Sequence, residues 1–307
     1  MSKSIKIGTR DSELALWQAN TVKALLEEKG FAAELVLIKS EGDLDLTTPL
    51  YAMGVQGVFT RSLDIALLNG RIDIAVHSMK DVPTQLPKGI AQAAILKRAS
   101  HTDILVYNGD PSFLNDFAGT ALIATSSIRR KAQWLHRYPH HSIENLRGNV
   151  NTRLRKVAES NWNGAVFAAA GLERIHLRPK NSIDLDWMLP APAQGAIMVV
   201  CGEADTYCRE ALGQLNDRAT EIATKVERDF LKELMGGCST PISGLATVVN
   251  NCIQFKGSIL SLDGKEKAEI EISSDTGDFE ILGAKAAAAI IANGGKSIAE
   301  SIKNAGK

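Results

Sequence analysis

The chain contains few of the residues that mark several common classes of protein. Only four of its 307 residues are cysteine, and none belongs to a Cys-x-x-Cys pair or has a histidine at ligand spacing. A zinc site or a disulfide framework is therefore not expected. No apolar run reaches the length of a membrane span, and none follows the first charged residues, so no secretory signal is predicted. We expect a cytoplasmic protein without a membrane partner or a bound metal.

Aromatic residues are also scarce, at 5% of the chain, and basic and acidic residues balance at 35 each. A nucleic-acid-binding protein usually combines a basic stripe with stacking aromatic side chains or a known motif. No helix-turn-helix, zinc-finger or RNA-recognition motif is present. Nucleic acid is therefore not expected as a partner, and an RNA-binding protein, which would bind with a steep salt dependence, is kept only as an alternative.

The charge that is present is unevenly distributed. Residues 118–180 carry eleven basic side chains and three acidic ones, a net charge of +8, so the rest of the chain carries −8. Several of these arginines stand at expected element junctions, after residues 125–127, before Gly148 and after Gly171. Arginine suits bidentate recognition of carboxylate or phosphate. A solvated basic face is the alternative, but the junction placement favours a site for a ligand with many negative charges.

The hydrophobic content, 45% of 307 residues, is enough for two or three domains with ordinary cores. Short apolar runs alternate with helical patterns, as in βα units. We predict two α/β lobes like those of periplasmic binding proteins, joined near residues 97–103 and again near 190–195 around a hinged cleft, and a small C-terminal α+β domain. The expected bounds of the three domains are 1–98 with 196–216, 99–195, and 217–307.

The C-terminal third has a different pattern. Thr220 is expected to cap a helix that runs to Leu234. Three strands and an alanine-rich helix over residues 279–293 are expected to follow. Together these elements predict the small α+β domain.

An apolar strand runs directly into Lys80 and Asp81. Open α/β sheets bind ligands at the carboxyl ends of their strands. Asp81 is therefore a candidate acid/base group, with Lys80 as its charge partner or as a ligand for a carboxylate. A turn carboxylate before Pro83 is the alternative.

Hydroxyl side chains follow two other strands where helices are expected to begin. Ser12 lies two residues after Arg10, and Thr125, Ser126 and Ser127 follow a strand of the second lobe. Backbone N–H groups at a helix start stabilise anions. Such hydroxyls are commonly N-caps, but two such sites facing one cleft beside arginines favour a ligand.

Cys238 differs from the other cysteines because two glycines, Gly236 and Gly237, directly precede it. A thiol in such a loop is accessible and has room for an attached group. The pattern alone is a weak signal.

Taken together, these motifs resemble those of the porphobilinogen deaminase family. The resemblance runs in order over nearly the whole chain and weakens after Leu245. The matching stretches are GTRDS at 8–12, ALWQ at 15–18, AVHSMKDVP at 75–83, TSSIRR at 125–130, LRGNVNTR at 146–153, AAAGLER at 168–174, QGA at 194–196 and GGC at 236–238.

The resemblance implies a transferase of tetrapyrrole (haem) biosynthesis. Such an enzyme adds four porphobilinogen molecules in turn, each losing ammonia, and releases the linear product hydroxymethylbilane by hydrolysis. It also implies a dipyrromethane cofactor, made from substrate and held by a thioether to Cys238. Every pyrrole ring carries an acetate and a propionate, which accounts for a cationic site. We expect the protein to be a monomer.

The same resemblance implies a role for individual residues. Asp81 is the catalytic carboxylate, which stabilises positive charge at the pyrrole nitrogens and assists proton transfer. Arg10, Ser12, Gln18 and Arg174 bind the substrate. Besides Cys238, the residues that bind the cofactor are Lys80, Thr125, Ser126, Ser127, Arg129, Arg130, Arg147, Gly148 and Arg153.

Some positions depart from the family pattern. Glu41 and Gln56 stand where basic residues are common, and Met235 stands where glutamate often precedes the two glycines. The first two changes remove positive charge from residues 39–59 and weaken the expectation of carboxylate contacts there. They do not bear on the reaction.

A non-catalytic binding protein is the main alternative. Two hinged α/β lobes with anion-binding helix starts also occur in solute-binding proteins and in regulator effector domains, so fold alone does not decide between them. The Gly-Gly-Cys segment and the third domain favour the enzyme.

Overall fold

The computed structural model describes residues 3–39, 60–234 and 240–305. Within them the chain forms two five-stranded mixed sheets and one three-stranded antiparallel sheet. The prediction of two α/β lobes and a small C-terminal α+β domain is confirmed. The exact domain bounds and a hinge between the lobes stay predictions.

The first lobe is assembled from both ends of the first two thirds of the chain. Its elements are β1 (Ile5–Thr9), α1 (Glu13–Glu28), β2 (Ala33–Leu37), α2 (Arg61–Leu68), β3 (Ile74–Ser78), β4 (Ile90–Ile95), β10 (Ile197–Gly202) and α6 (Thr206–Gly213). The strand order is β2-β1-β3-β10-β4, with β10 antiparallel to both neighbours. Ile5, Ile7 and Ile74 are fully buried, because helices cover both faces of the sheet.

The second lobe repeats this arrangement. Its elements are β5 (Asp103–Tyr107), β6 (Leu122–Ala124), α3 (Ile128–Arg137), β7 (Ser142–Glu144), α4 (Val150–Glu159), β8 (Gly164–Ala168), α5 (Ala169–Glu173) and β9 (Ser182–Asp184). The strand order is β7-β6-β8-β5-β9, and β5 is antiparallel to its neighbours. In each lobe the antiparallel strand is the one by which the chain enters from the other lobe.

The carboxyl ends of four strands locate the candidate site. β1 and β3 end at Thr9 and Ser78, and β6 and β8 end at Ala124 and Ala168. The chain that follows these four ends carries most of the predicted site residues. Such strand ends are where open α/β sheets bind ligands.

The third domain packs helices against one antiparallel sheet. Its elements are α7 (Arg218–Leu234), β11 (Ile242–Val249), β12 (Cys252–Leu260), β13 (Lys267–Asp275), α8 (Phe279–Ile290) and α9 (Lys296–Ala305). Phe230 and Phe255 meet edge to face in its core, with ring centroids 4.9 Å apart. An aromatic pair of this kind stabilises a core beyond the area that it buries.

One predicted detail of this domain is wrong. Asp217, rather than Thr220, caps α7, since its Oδ1 accepts the N–H of Thr220 at 2.8 Å. The alanine-rich helix α8 continues into a π-helical segment, Ile291–Gly295, whose first residue with non-helical backbone angles is Asn293, as the sequence predicts. Gly294, with a φ of +96°, separates α8 from α9, which the sequence did not predict.

The chain crosses between the lobes twice, near residues 97–103 and 190–195. Glu227 of the third domain bonds to both crossings. It is fully buried and pairs with Arg98 at an Oε1–Nη1 distance of 2.6 Å. Its carboxylate also accepts the backbone N–H groups of Ala193 and Ala246, at 2.6 and 2.7 Å. Arg98 lies on the first crossing between the lobes and Ala193 on the second. The Nε of Arg98 donates to the carbonyl oxygen of Gln194, also on the second crossing, at 2.8 Å.

The Arg98–Glu227 pair allows a test of how the domains are held together. We expect Arg98→Met to lower the free energy of unfolding by about 3–5 kcal/mol, because it leaves a buried carboxylate without its ion pair. Urea unfolding followed by circular dichroism measures the loss. Arg155→Met is the control, since the Arg155–Glu159 pair is exposed on both sides and should contribute less than about 1 kcal/mol. Equal losses in the two variants would contradict this account.

Candidate functional site

Asp81 lies in a single 3-10 turn, Met79–Asp81, that directly follows β3. Its half-buried side chain lines a small pocket together with Arg10, Gln18 and Ser78. The remaining lining residues are Ala15, Thr60, Val76 and His77. The structure therefore brings together three residues that were predicted separately, Arg10, Gln18 and Asp81.

Helix α1 supports this pocket from one side. Gln18 is buried and donates from Nε2 to the Ser78 hydroxyl at 2.8 Å, which joins α1 to the end of β3. Ser12 caps α1 and accepts the N–H of Ala15 at 3.4 Å. The N-cap alternative thus describes the observed contact of Ser12, and its contact with substrate stays a prediction.

His77 also lines the pocket, and its imidazole is uncharged at neutral pH. Burial and the nearby Arg10 guanidinium together lower the pKa of His77 to about 4. His77 therefore supplies no positive charge to the site, whereas Arg10 does.

The three hydroxyls of the second lobe are engaged in the local fold. The Thr125 hydroxyl accepts the N–H of Ser127 at 3.2 Å, and Ser127 caps α3 by accepting the N–H of Arg130 at 3.4 Å. The Ser126 hydroxyl accepts the N–H of Leu146 at 2.9 Å. These contacts hold the loops after β6 and β7 together, and binding of a ligand by the hydroxyls stays a prediction.

Asp103 is a buried carboxylate that the sequence analysis missed. Its Oδ2 pairs with Nη2 of Arg129 at 2.7 Å, and its Oδ1 accepts from Nη2 and Nε of Arg130 at 2.7 and 3.0 Å. Burial alone would raise the pKa of Asp103, but the two arginines hold it at about 2. An acidic residue at the start of the apolar strand β5, ahead of an arginine-rich segment, was the available signal.

Arg129 and Arg130 also bind backbone carbonyls. Arg129 donates to Leu189 O at 2.8 Å and Arg130 donates to Val166 O at 2.9 Å. Both side chains are buried. They therefore hold β5, β8 and the second crossing together, and their binding of cofactor carboxylates stays a prediction.

Lys80 reaches from the first lobe to the same network. Its Nζ donates to Oε1 of Gln194 at 3.1 Å, and Nε2 of Gln194 donates to Oδ1 of Asp103 at 3.0 Å. Burial and the nearby Arg130 charge together lower the pKa of Lys80 from 10.5 to about 8. The ammonium group of Lys80 therefore loses its proton at a pH not far above neutral, and a bound carboxylate would raise its pKa.

The loop after β7 and the helix α4 carry three further predicted residues of the second lobe, Arg147, Gly148 and Arg153. Gly148 has a φ of +114°, and a Cβ there would lie 2.7 Å from the Thr152 side chain, so the loop requires glycine. Its carbonyl oxygen accepts from Nε of Arg153 at 2.7 Å.

The electrostatics of Arg153 place it among other cations and near Asp81. The pKa of Arg153 is lowered to about 10 by burial and by the charges of Arg130 and Arg147, against an opposing effect of Asp81. The Asp81 effect indicates that the carboxylate lies within electrostatic range of the Arg153 guanidinium.

Arg174 lies apart from the Asp81 pocket and bridges the lobes. Its Nη2 donates to Gly195 O at 2.7 Å, and its guanidinium stands 5.7 Å from the centroid of the Trp17 ring on α1. Burial lowers the pKa of Arg174 to about 10. The structure does not place Arg174 in the pocket lining, and its role in substrate binding stays a prediction.

These observations define a cationic cleft, formed by Lys80, Arg129, Arg130, Arg147 and Arg153. Among the described residues, Asp103 is the carboxylate that pairs with its arginines, and crowding of like charges contributes to the lowered pKa values of Lys80 and Arg153. A ligand that carries several carboxylates would relieve this crowding. The donor set therefore fits a polycarboxylate.

Two family models match the chain. The porphobilinogen deaminase, dipyromethane cofactor binding domain, matches residues 5–210, and the porphobilinogen deaminase, C-terminal domain, matches residues 222–292. The chain belongs to the porphobilinogen deaminase family. The sequence-based assignment to this family is confirmed.

Full-length relatives agree with the family models. The chain is 42% identical over 304 residues to the porphobilinogen deaminase of Desulfitobacterium hafniense, with 98% of each chain covered. It is 40% identical to that of Trichlorobacter lovleyi, covering 98% of this chain and 97% of the relative. Among solved structures, an amino-acid ABC transporter extracellular-binding protein from Bacillus subtilis is similar at 10% identity and a TM-score of 0.45, over 70% of this chain and 90% of that one.

The dipyrromethane that the family model implies suits the cationic cleft, because its acetate and propionate groups match the donors there. Cys238, the predicted attachment point, lies outside the described residues, as do Glu41, Gln56 and Met235. The other three cysteines are free thiols. Burial raises the pKa of Cys201 to about 11, which makes that thiol unreactive.

The described residues contain no helix long and apolar enough to cross a membrane. Over the same residues, no group of three or more histidine, cysteine or acidic side chains could hold a metal ion.

Lys80 provides a pH test of the cleft. We expect its ammonium group to titrate near pH 8 in the unliganded protein instead of near 10.5. Below that pH Lys80 is a cation that can bind a carboxylate, and above it this attraction is lost. Side-chain NMR, assigned with Lys80→Gln, measures the midpoint.

Asp81→Asn provides the comparison for this titration. Asp81 raises the pKa of Lys80, so its neutral replacement should move the midpoint lower still. A Lys80 midpoint at its ordinary value, or an upward shift in Asp81→Asn, would show that the site is not as crowded with positive charge as described.

Proposed function

We propose that this protein is an active hydroxymethylbilane-forming transferase. It condenses four porphobilinogen molecules, each with loss of ammonia, onto a dipyrromethane cofactor joined to Cys238 by a thioether, and then releases hydroxymethylbilane by hydrolysis. The observation that carries the proposal is the position of Asp81, at the carboxyl end of β3 in a pocket that it shares with Arg10 and Gln18. Membership of the porphobilinogen deaminase family supports the choice of substrate.

The cationic cleft holds the cofactor and the growing chain by their carboxylates. Arginine makes bidentate bonds to such groups, so Arg147 and Arg153 fix orientation as well as charge. Lys80 adds a point charge, and a carboxylate that approaches it raises its pKa and so favours the charged ammonium form. Arg129 and Arg130 share the single carboxylate of Asp103, so the two guanidinium groups together still contribute positive potential. When bound, the cofactor supplies the pyrrole carbon that accepts the first substrate.

Asp81 performs the proton chemistry. It is the carboxylate among the residues that line the described pocket, so it lies where positive charge on a pyrrole nitrogen would develop. An oriented carboxylate stabilises that charge and then accepts the proton that the new ring loses. His77, neutral because of its burial, does not compete for these roles.

Arg10, Ser12 and Gln18 orient the incoming ring. Arg10 shares the pocket with Asp81 and supplies a cation for the substrate acetate or propionate. Gln18 acts through its bond to Ser78, which fixes the strand end just before Asp81. Arg174 serves the longer chain from its position between the lobes.

Incubation with porphobilinogen tests the proposed function directly. The substrate should disappear with release of ammonia and formation of hydroxymethylbilane, and the purified protein should turn pink with an aldehyde reagent for pyrroles. A solute-binding protein would bind a small anion without consuming porphobilinogen. An RNA-binding protein would show neither result and would bind RNA with a steep salt dependence. The monomeric state and the cytoplasmic location stay predictions.

The role of Asp81 predicts a large loss of turnover in Asp81→Ala. We expect kcat to fall about 10²–10⁴-fold, as for removal of a positioned acid/base group, with the circular dichroism spectrum unchanged. Asp73→Ala is the control, because Asp73 lies ahead of β3 and pairs with the exposed Lys3. Turnover of Asp81→Ala close to that of the wild type would refute the role.

Attachment at Cys238 predicts a mass above that of the bare polypeptide. The added mass should survive thiol reductants, because a thioether is not reduced as a disulfide is. Cys238→Ser should lack both the added mass and activity, whereas the half-buried Cys252→Ser should keep both. A wild-type intact mass equal to that of the polypeptide, or an adduct mapped to another residue, would overturn the assignment.

A further inference from the structure

Arg228 reaches from the third domain onto the turn that carries Asp81. Its Nη1 donates to Val82 O at 2.9 Å and to Met79 O at 3.3 Å, and its Nη2 donates to Pro83 O at 2.5 Å. These carbonyl groups lie on both sides of Asp81 in the chain. One guanidinium therefore spans the backbone that precedes and follows the catalytic candidate.

The turn itself is a short segment of backbone. It is a three-residue 3-10 segment, in which Val82 N donates to Met79 O at 3.1 Å and Met79 N donates to Ala196 O at 3.0 Å. Short 3-10 segments have poorer hydrogen-bond geometry than α-helices. Hydrogen bonds from a charged, planar guanidinium are stronger than neutral ones and have a defined direction. Arg228 is thus a principal support of this turn.

The backbone of Arg228 is itself held on both sides. The preceding residue, Glu227, is buried in its bonds to Arg98, Ala193 and Ala246. Helix α8 approaches α7 so closely that a Cβ on Gly283 would lie 2.4 Å from Val226 O. Because its backbone is held in this way, Arg228 can fix the position of the turn to which it bonds.

We infer that Arg228 is a positioning residue for Asp81. It sets the orientation of the Asp81 carboxylate by fixing the carbonyl groups of Met79, Val82 and Pro83. The third domain therefore contributes to the chemistry through α7, in addition to the segment that carries Cys238. The catalytic part of this inference rests on the proposed function.

Arg228→Gln should separate kcat from KM. We expect kcat to fall about 10–100-fold, since small misplacements of a catalytic group cost this much. KM should stay within about threefold, because the groups that bind substrate are unchanged. Arg228→Lys should recover part of the loss. The intact mass should keep the cofactor adduct in both variants. Arg218→Gln is the control, as Arg218 lies on the same helix and pairs with Glu221 near the surface.

Hydrogen exchange tests the support without any reference to activity. Amides in a peptide that spans residues 77–84 should exchange faster in Arg228→Gln than in the wild type, and at the wild-type rate in Arg218→Gln. Mass spectrometry of peptic fragments measures this difference. If Arg228→Gln does not fold, Arg228→Lys is compared with the wild type in the same assays.

The outcomes distinguish this inference from the proposed function. A wild-type protein that leaves porphobilinogen unchanged would refute the function, while the exchange experiment would still test the support of the turn. Unchanged exchange in the 77–84 peptide would overturn the inference. Faster exchange with kcat within about threefold of the wild type would overturn it as well, because the turn would then be loosened without effect on Asp81.

Discussion

Asp103 lies fully buried among the arginines of the cationic cleft, where it forms an ion pair with Arg129 and accepts hydrogen bonds from the Arg130 guanidinium and the Gln194 amide. Arginines at neighbouring positions repel one another, and burial would increase that repulsion if no carboxylate stood between them. The cleft can therefore hold Arg129 and Arg130 side by side because Asp103 is present. Through Gln194 the same carboxylate is linked to Lys80 on the other lobe, so the electrostatics of both sides of the cleft are coupled.

A second buried carboxylate, Glu227, holds the domains together. It is bonded to both crossings between the lobes and to the third domain. Its neighbour on α7, Arg228, bonds the turn that carries Asp81. Two adjacent residues of one helix thus connect the joint between the lobes to the catalytic candidate. A change that shifts α7 is expected to be felt at Asp81, although α7 lies in another domain.

The site carries more positive charge than its own acidic residues offset. Burial and like charges lower the pKa of Lys80 to about 8 and that of Arg153 to about 10. This arrangement costs free energy in the unliganded protein and is relieved when carboxylates bind. A site that adds one acidic ring after another benefits from such an excess, because each addition brings further negative charge. The family to which the chain belongs gives that arrangement a chemical purpose.

The sequence by itself determined the architecture, the family and the identity of the candidate groups. Alternation of apolar runs with helical periodicity predicted the two lobes, since burial of one face dictates those patterns locally. Motifs such as the one around Asp81 are contiguous, so they are readable without a fold. The misplaced cap at Thr220 shows the limit of local reasoning, because Asp217 and Thr220 are both plausible caps and geometry decides between them.

Only the tertiary structure decided which charged residues pair with one another to hold the fold. Asp103 and Arg130 are 27 positions apart, Arg98 and Glu227 are 129 apart, and Arg228 and Met79 are 149 apart. Such pairs leave no periodic signal in one sequence, because their partners meet only after the lobes and the third domain have packed. Only the structure shows that the hydroxyls of Ser12 and Ser127 cap helices, where each accepts a backbone N–H.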